Sequence, residues 1–224
     1  MALIYRAEIQ PSKVDLITAW APAQPWFVGE AGVAVTNLAA YRFDDPAGAV
    51  GIETILVRAG TGPVLQVPLT YRDAPLAGAE AALITTMQHS VLGERWVYDA
   101  TADPVYIAAA ATIALTGGRQ ADLQVETDGE LVLRDPTAVV AGSGSPDNSV
   151  ADLPEVGDLT IRHEHGTTVV DAGGLRLVLA RVLGDDDDVL AADSDETTAR
   201  EVLAGTWPGQ ADLRTLLLVE RLDG

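Results

Sequence analysis

The sequence has no cysteine and no long hydrophobic run. The first absence excludes disulfides, thiol catalysis and thiolate-bound metals. The second excludes a membrane-spanning helix, which needs about 20 apolar residues in succession, because the longest candidate, residues 107–115, is short and rich in alanine. The N-terminal residues also lack the basic segment and the apolar stretch of a signal peptide, so we expect a cytoplasmic protein.

Positive charge is scarce as well. The chain has 14 lysines and arginines against 33 acidic residues, which gives a formal net charge of −19, and Lys13 is its single lysine. Such a field repels the phosphate backbone of nucleic acids and anionic lipid, so we expect neither a nucleic-acid partner nor a membrane surface. Solubility alone is enough to account for the acidity.

The motifs of phosphate chemistry and of serine hydrolases are missing. The sequence contains no G-x-x-x-x-G-K-[ST] and no G-x-G-x-x-G. No histidine stands two positions before an aspartate, as the catalytic loop of a protein-kinase-like enzyme requires, and no G-x-S-x-G is present. We therefore assign no catalytic residue and expect no cofactor. The many acidic residues leave a pair of catalytic carboxylates open.

Hydrophobic patterning predicts four strands in the first half of the chain, the last three of which form an antiparallel meander. Strand-like segments cover residues 4–9, 33–43, 50–60 and 64–72. Pro68 lies within the last of them and favours an edge strand or a bulge. A helix over 11–20, capped by Ser12, precedes the meander.

Two further helices are predicted. Apolar residues at helical spacing predict one over 76–92, ended by Gly93. Asp103 as N-cap and Pro104 at the first helical position begin the next, which the glycines at 117–118 end. A short aromatic strand over 95–98 separates the two helices.

The second half is predicted to be rich in β-structure. Residues 123–134 form a hairpin about the turn 128–129, and residues 142–149 read as a flexible loop or linker. Further strands are predicted over the segments 159–164, 167–173, 175–183 and 213–222, with a short helix over 194–205. The expected fold class is α+β, with antiparallel β-sheets and a few flanking helices. Domains are predicted at 1–120 and 121–224, with one continuous domain as the alternative.

Two features have the composition of metal sites. His163 and His165 stand two apart on a predicted strand and so share a face, but zinc needs a third protein ligand, and exposed histidines at a hairpin tip are the plainer interpretation. Four aspartates at 185–188 lack the spacing of a calcium loop, which favours a solvated loop.

The segment 89–106 mixes aromatic and charged side chains, as interfaces do. We predict a binding surface from this segment and the end of the strand before it. Its residues are Tyr71, Arg72, His89, Arg95, Trp96, Tyr98 and Asp99. Core packing is the competing interpretation for each tryptophan, because aromatic residues are few.

Four segments together resemble the N-terminal cap domain of bacterial maltokinases and related aminosugar kinases over about residues 3–118. They read AEIQPSKVDLITAW, AYRFDDPAGAVGIETILV, LQVPLTYRDAPL and HSVLGERWVYDATADPVY. The resemblance implies an α+β unit with a curved antiparallel sheet. In the full-length kinases a kinase-like lobe, with a catalytic aspartate and a metal-binding carboxylate, follows the cap, and residues 119–224 lack its signature.

The resemblance therefore implies a stand-alone, non-catalytic binding or regulatory module. Its expected partner is an enzyme of α-glucan or trehalose metabolism. The alternatives are a carbohydrate-binding protein, with a sugar as the ligand, and a small hydrolase or metal-dependent enzyme of α-glucan metabolism.

Overall fold

The computed structural model describes residues 2–4, 8–30, 32–127, 130–150, 153–184 and 200–222. The helices are α1 (Lys13–Trp20) and α2 (Pro104–Thr116). The strands are β1 (Ala2–Ile4), β2 (Ile9–Gln10), β3 (Val35–Phe43), β4 (Gly51–Ala59), β5 (Val64–Arg72), β6 (Leu83–His89), β7 (Gly93–Asp99), β8 (Leu123–Thr127), β9 (Glu130–Arg134), β10 (Val139–Gly142), β11 (Leu159–Glu164), β12 (Thr167–Ala172), β13 (Leu175–Ala180), β14 (Val182–Leu183), β15 (Arg200–Trp207) and β16 (Gln210–Arg221). The fold is thus α+β and rich in antiparallel strands, as predicted. Neither helix in the described ranges is long enough to cross a membrane.

Three sheets organise these strands. The first has the order β2-β6-β7-β5-β4-β3, and β14 also pairs with β5. The second has the order β10-β15-β16-β13-β12-β11. The third is small, with the order β1-β8-β9, in which β1 runs parallel to β8. The hairpins β3–β4, β4–β5 and β8–β9 join predicted strands, so the meander and the hairpin at 123–134 are confirmed.

Both helices begin where the capping residues predict. The Ser12 hydroxyl accepts a hydrogen bond from the Asp15 N–H at 3.2 Å, and the Asp103 carboxylate accepts one from the Val105 N–H at 3.0 Å. These side chains satisfy backbone donors that the first helical turn leaves without a partner. Gly117 ends α2 with φ +66°, a conformation that favours glycine.

The helix predicted over 76–92 is wrong, because Leu83–His89 forms strand β6. Its register pairs Thr86 with Trp96 and Met87 with Arg95 on β7. Two β-branched threonines at 85–86 suit a strand better than a helix. Pairing with β7 stabilises the strand more than the helical spacing of the apolar residues favours a helix. Gly93 has φ +75° and is the first residue of β7, so it completes the hairpin turn instead of capping a helix.

Two other predictions need correction. β5 is not an edge strand, since it lies between β4 and β7. The Gln66 N–H bonds the Arg181 carbonyl near β14, and backbone groups alternate along a strand, so the nitrogen of Pro68 faces the same side. At this position the strand beside β5 changes from β14 to β7, so the sheet needs no hydrogen bond from the nitrogen of Pro68.

The helix predicted over 194–205 is wrong from residue 200 onwards, where β15 begins. The first part of that segment, like the aspartates at 185–188, lies outside the described residues.

Residues 142–149, predicted to be a flexible loop or linker, are tied to the end of α2. The Gly144 N–H bonds the Ala114 carbonyl at 2.9 Å, and the Asn148 side-chain amide bonds the Leu115 carbonyl at 2.7 Å. A Cβ at Gly144 would collide with that same Leu115 carbonyl, so a glycine is needed for the close approach. Ser143 adds two hydrogen bonds with the backbone of Val202 on β15.

One buried hydrophobic cluster draws on both halves of the chain. It combines residues of β3 and β4 with α2 and with strands of the second sheet, and it includes Tyr41, Leu56, Tyr106, Leu177 and Leu217. The fully buried Gln66 of β5 links the two sheets, because its amide donates to the carbonyls of Ala180 and Leu216 at 2.8 and 2.9 Å. The division into two domains near residue 120 stays a prediction.

Arg181 lies at the crossing point between the first and second sheets. It is the residue between β13, in the second sheet, and β14, in the first. Its side chain is fully buried, and its guanidinium bonds the Asp99 carboxylate at 2.6 and 2.8 Å. The same group donates to the Thr168 hydroxyl at 2.7 Å and lies 4.7 Å from the centre of the Trp26 ring. A charge at this depth requires such partners.

We expect Arg181→Met to lower the free energy of unfolding by about 3–5 kcal/mol, because Asp99 would remain buried without its cation. Equilibrium unfolding in urea measures the loss. The matched control is Arg119→Met, which removes an exposed pair with Asp122 and should change stability by less than about 1 kcal/mol. Equal stabilities of the two variants would contradict a structural role for the buried pair.

Candidate functional site

A cleft of about 400 Å³ opens at one end of the first sheet, on the face that α1 covers. Three residues of the predicted binding surface line it, namely Tyr71, His89 and Arg95. Lys13 of α1 lies on one side, and the turn between β3 and β4, residues 44–50, forms the opposite wall. The cleft therefore carries charges of both signs beside apolar surface.

Glu53 is buried next to the cleft and binds three side chains. Its carboxylate lies 2.5 Å from the Lys13 ammonium and 3.3 Å from the Arg42 guanidinium, and it accepts a hydrogen bond from the Tyr71 hydroxyl at 2.9 Å. Burial by itself would raise the pKa of Glu53, but the charges of Arg42 and Lys13 and the hydrogen bonds lower it to about 2. Glu53 is therefore a fixed anion that orients the cationic side of the cleft.

His89 holds the turn between β6 and β7. Its Nδ1 accepts hydrogen bonds from the backbone N–H groups of Val91 and Leu92 at 3.2 and 3.1 Å, which assigns the ring proton of the neutral imidazole to Nε2. Partial burial, with the nearby charges of Arg95 and Lys13, lowers the pKa of His89. The turn exposes Val91 and Leu92, of whose surfaces 54% and 41% are accessible, and Leu92 lines the rim of the cleft.

The opposite wall is fixed by Asp45. Its carboxylate accepts hydrogen bonds from the N–H groups of Ala47, Ala49 and Val50, each at 2.9 Å. Gly48 has φ +70° within the turn. This wall is held by its own backbone contacts, so its shape does not depend on a ligand.

The predicted surface is divided between the two faces of the sheet. Side chains alternate along a strand, so Tyr71 and Arg95 lie on the α1 face while Arg72 and Trp96 point to the other face. Arg72 and Trp96 are directly opposite each other in the register of β5 and β7, and both are half-buried. The structure thus brings together only part of the predicted set.

The other members have internal partners. Arg72 forms two hydrogen bonds of 2.7 Å with the buried Asp103 carboxylate. Tyr98 is buried, and its hydroxyl accepts the Leu76 N–H at 2.9 Å. Asp99 is buried against Arg181 and also caps the 3₁₀ turn that follows β7, accepting from the Thr101 N–H at 3.1 Å. These three residues stabilise the sheet and the start of α2.

His163 and His165 occupy different environments. His163 is an exposed residue of β11, and its Nδ1 lies 3.0 Å from the Thr168 hydroxyl, which also accepts a hydrogen bond from Arg181. Partial desolvation of the ring and the charge of Arg181 lower the pKa of His163. His165 leaves the strand with φ +41°, so the strand alternation ends before it. Among the residues that the structure describes, no three histidine or acidic side chains are placed to hold a metal ion.

The ion cluster beside the cleft was not predicted from the sequence. Arg42 and Glu53 are direct partners in the β3–β4 register, and the two predicted strands with their turn contained the signal for this cross-strand pair. Lys13 comes from α1, and no local pattern links it to Glu53. The role of Asp45 follows the usual preference of aspartate for bonding backbone groups in turns.

The fold and the cleft define an α+β protein with a mixed-charge cleft on one face of an antiparallel sheet. Residues 20–103 match the family model of the maltokinase N-terminal cap domain. The match begins at the end of α1 and stops at Asp103, the N-cap of α2, so it contains β3–β7 and most of the cleft but less than half of the chain. The resemblance is confirmed over these residues. No curated protein matches the chain.

We expect Glu53→Gln to lower the free energy of unfolding at pH 7 by about 2–3 kcal/mol, because Lys13 and Arg42 lose their anion. The pKa of Glu53 is depressed on folding, so its contribution is complete above about 4.5 and is lost as the pH falls towards about 2. Between pH 7 and pH 3, urea unfolding should show a smaller loss of the free energy of unfolding for Glu53→Gln than for the unaltered protein. Parallel curves would contradict the depressed pKa.

Protonation of His89 should weaken the rim of the cleft. Its pKa is lowered on folding, so its contribution to stability is complete above the ordinary value of 6.5 and is lost as the pH falls below it. His89→Asn keeps a hydrogen-bond acceptor but does not titrate. We expect the unaltered protein to lose more stability than His89→Asn between pH 7 and pH 5, measured by thermal unfolding; an identical loss would show that His89 does not titrate in this range.

Proposed function

We propose that the chain is a non-catalytic binding module that docks on an enzyme of α-glucan or trehalose metabolism through the cleft and its rim. The observation that carries the proposal is the rim of the cleft, which the exposed Leu92 and Arg95 line together and next to which Val91 is also exposed. Apolar side chains next to an arginine form the kind of surface that binds another protein. The metabolic context comes from the match of residues 20–103 to the maltokinase cap family.

The interior of the cleft favours a protein partner over a sugar. Sugar rings stack on open aromatic faces, but Lys13 lies over the Tyr71 ring, 5.6 Å from its centre. The other aromatic residue in the lining, Phe43, is buried. No tryptophan lines the cleft among the described residues, since Trp26 and Trp207 are buried and the half-buried Trp20 and Trp96 lie outside its lining.

The hydrolase alternative has weaker support at this site. A general acid needs a carboxyl whose pKa is raised towards neutrality. Glu53, the buried carboxyl next to the cleft, has a pKa lowered to about 2 by Arg42 and Lys13. It cannot supply a proton near neutral pH, and its lone pairs are directed at internal partners.

The proposal is tested by affinity capture from an extract of the source cells, with the captured proteins identified by mass spectrometry. We expect the unaltered chain to retain an enzyme of α-glucan or trehalose metabolism and the double variant Leu92→Asp/Arg95→Glu to lose it at least tenfold, a change of about 1.4 kcal/mol. The melting temperature should stay unchanged, because both positions lie at the rim.

The matched control is Leu213→Asp/Arg119→Glu, which places the same changes at exposed positions away from the cleft. It should capture the enzyme as the unaltered chain does. Capture that survives the rim variant would contradict docking at this site. Calorimetric binding of maltose, trehalose or glucosamine that Arg95→Glu abolishes would favour the sugar-binding alternative, and turnover of a sugar with ATP and magnesium would contradict a non-catalytic role.

A further inference from the structure

Strand β9 forms an exposed edge of the third sheet. It pairs with β8 on one side, and no described strand pairs with its other side. All five of its residues are exposed. Leu131, Val132 and Leu133 show 56%, 49% and 63% of their surfaces to solvent.

An exposed apolar edge strand is unusual in a soluble protein. Its outward N–H and C=O groups are ready to pair with another strand, so such edges are normally shortened, charged or covered. Three consecutive apolar residues also place apolar side chains on both faces of β9, because side chains alternate. Both the backbone and the side chains of β9 therefore favour a further strand beside it.

The sequence of β9, Glu-Leu-Val-Leu-Arg, is complementary to itself when two copies run antiparallel. We propose that two copies of the chain associate through β9, around a two-fold axis at Val132, so that their small sheets join into one sheet of six strands. In this register Glu130 of each copy faces Arg134 of the other. Leu131 faces Leu133, and Val132 faces itself.

Only this register places the carboxylate of Glu130 opposite the guanidinium of Arg134 at both ends of the pairing. A shift of the axis to Leu131 places Glu130 opposite Val132, and a shift to Leu133 places Leu131 opposite Asp135, as the sequence order requires. Within the chain, Arg134 is paired with Leu123 of β8, and neither Glu130 nor Arg134 has an ion pair among the described residues. In the proposed dimer, the second copy places an opposite charge next to each of them.

The side chains then separate cleanly between the two faces of the joined sheet. Leu131 and Leu133 of both copies share one face and form a cluster of four leucines. Glu130, Val132 and Arg134 of both copies share the other face, where two ion pairs flank the central valines. Side chains directly opposite each other on antiparallel strands are about 5 Å apart, close enough for these contacts.

The association should be weak and reversible. A strand pair of this length is smaller than a standard interface of about 1,600 Å², and each copy carries a net charge of −19. We expect a monomer–dimer equilibrium in the micromolar range, favoured by enough salt to screen the general repulsion. The inference is independent of the docking proposed at the cleft.

Sedimentation equilibrium over a range of protein concentrations tests the inference with charge variants of the full chain. Glu130→Arg or Arg134→Glu alone places like charges opposite each other at both ends of the pairing and should weaken dimerisation about tenfold or more. The exchange of both charges, E130R/R134E, restores complementarity and should return the dissociation constant to within about threefold of the unaltered value. A purely structural role for either residue would not give this recovery.

Leu131→Asp/Leu133→Asp should abolish the dimer while the melting temperature of the monomer stays the same, because both side chains are exposed in the single chain. Val139→Asp is the control, since Val139 is exposed on β10 of the second sheet, and it should leave dimerisation unchanged. A protein that is monomeric at every concentration overturns the inference. A dimer that is insensitive to the single charge reversals, or that E130R/R134E does not restore, overturns it too.

Discussion

The buried pair of Arg181 and Asp99 is the constraint on which the arrangement of the two large sheets depends. Arg181 is the residue at which the chain passes from the second sheet to the first, and Asp99 ends β7 in the first sheet. A guanidinium without water needs its carboxylate, and breaking such a pair costs far more than its formation gains. The pair extends through Thr168 to His163, so one continuous polar network ties β7, β12 and β11 to the crossing point. Competing packings of the sheets would leave this charge unpaired.

The few cations of this acidic chain serve its structure first. Arg181 binds Asp99, Arg72 binds Asp103, and Lys13 and Arg42 both bind Glu53. Each of these carboxylates is buried, so each cation stabilises an anion that would otherwise be costly inside the fold. At the cleft, Arg95 and the exposed Leu92 line the rim together, and the proposed docking depends on this combination.

Local signals in the sequence were sufficient for the helix ends and for most strands. Ser12, Asp103 with Pro104, and Gly117 act within one turn of their own position, so their effects can be predicted without knowledge of the fold. The helix predicted over 76–92 failed because pairing with β7, a contact with another strand, decides its structure. The prediction of the candidate functional site was limited in the same way. Segment 89–106 contributes His89 and Arg95 to the lining of the cleft, but the alternation of β7 sends Trp96 to the opposite face. The contact of Lys13 with Glu53 joins residues 40 positions apart. Such contacts depend on packing that local patterns do not encode.

The second half of the chain also determines which face of the first sheet is free. Residues of α2 and of the second sheet cover one face through the large shared cluster, and the Gln66 amide ties that face to Ala180 and Leu216. The segment that matches the cap family stops at Asp103, just before α2. The covering layer therefore comes from outside the matched segment, and a partner that approached this face would have to displace it.

The other face of the first sheet, on the side of α1, carries the cleft. There the cleft lies between two turns that Asp45 and His89 hold in place. A surface formed in advance loses little conformational freedom on binding, which is why a partner is expected at the cleft and not at the side of Arg72 and Trp96.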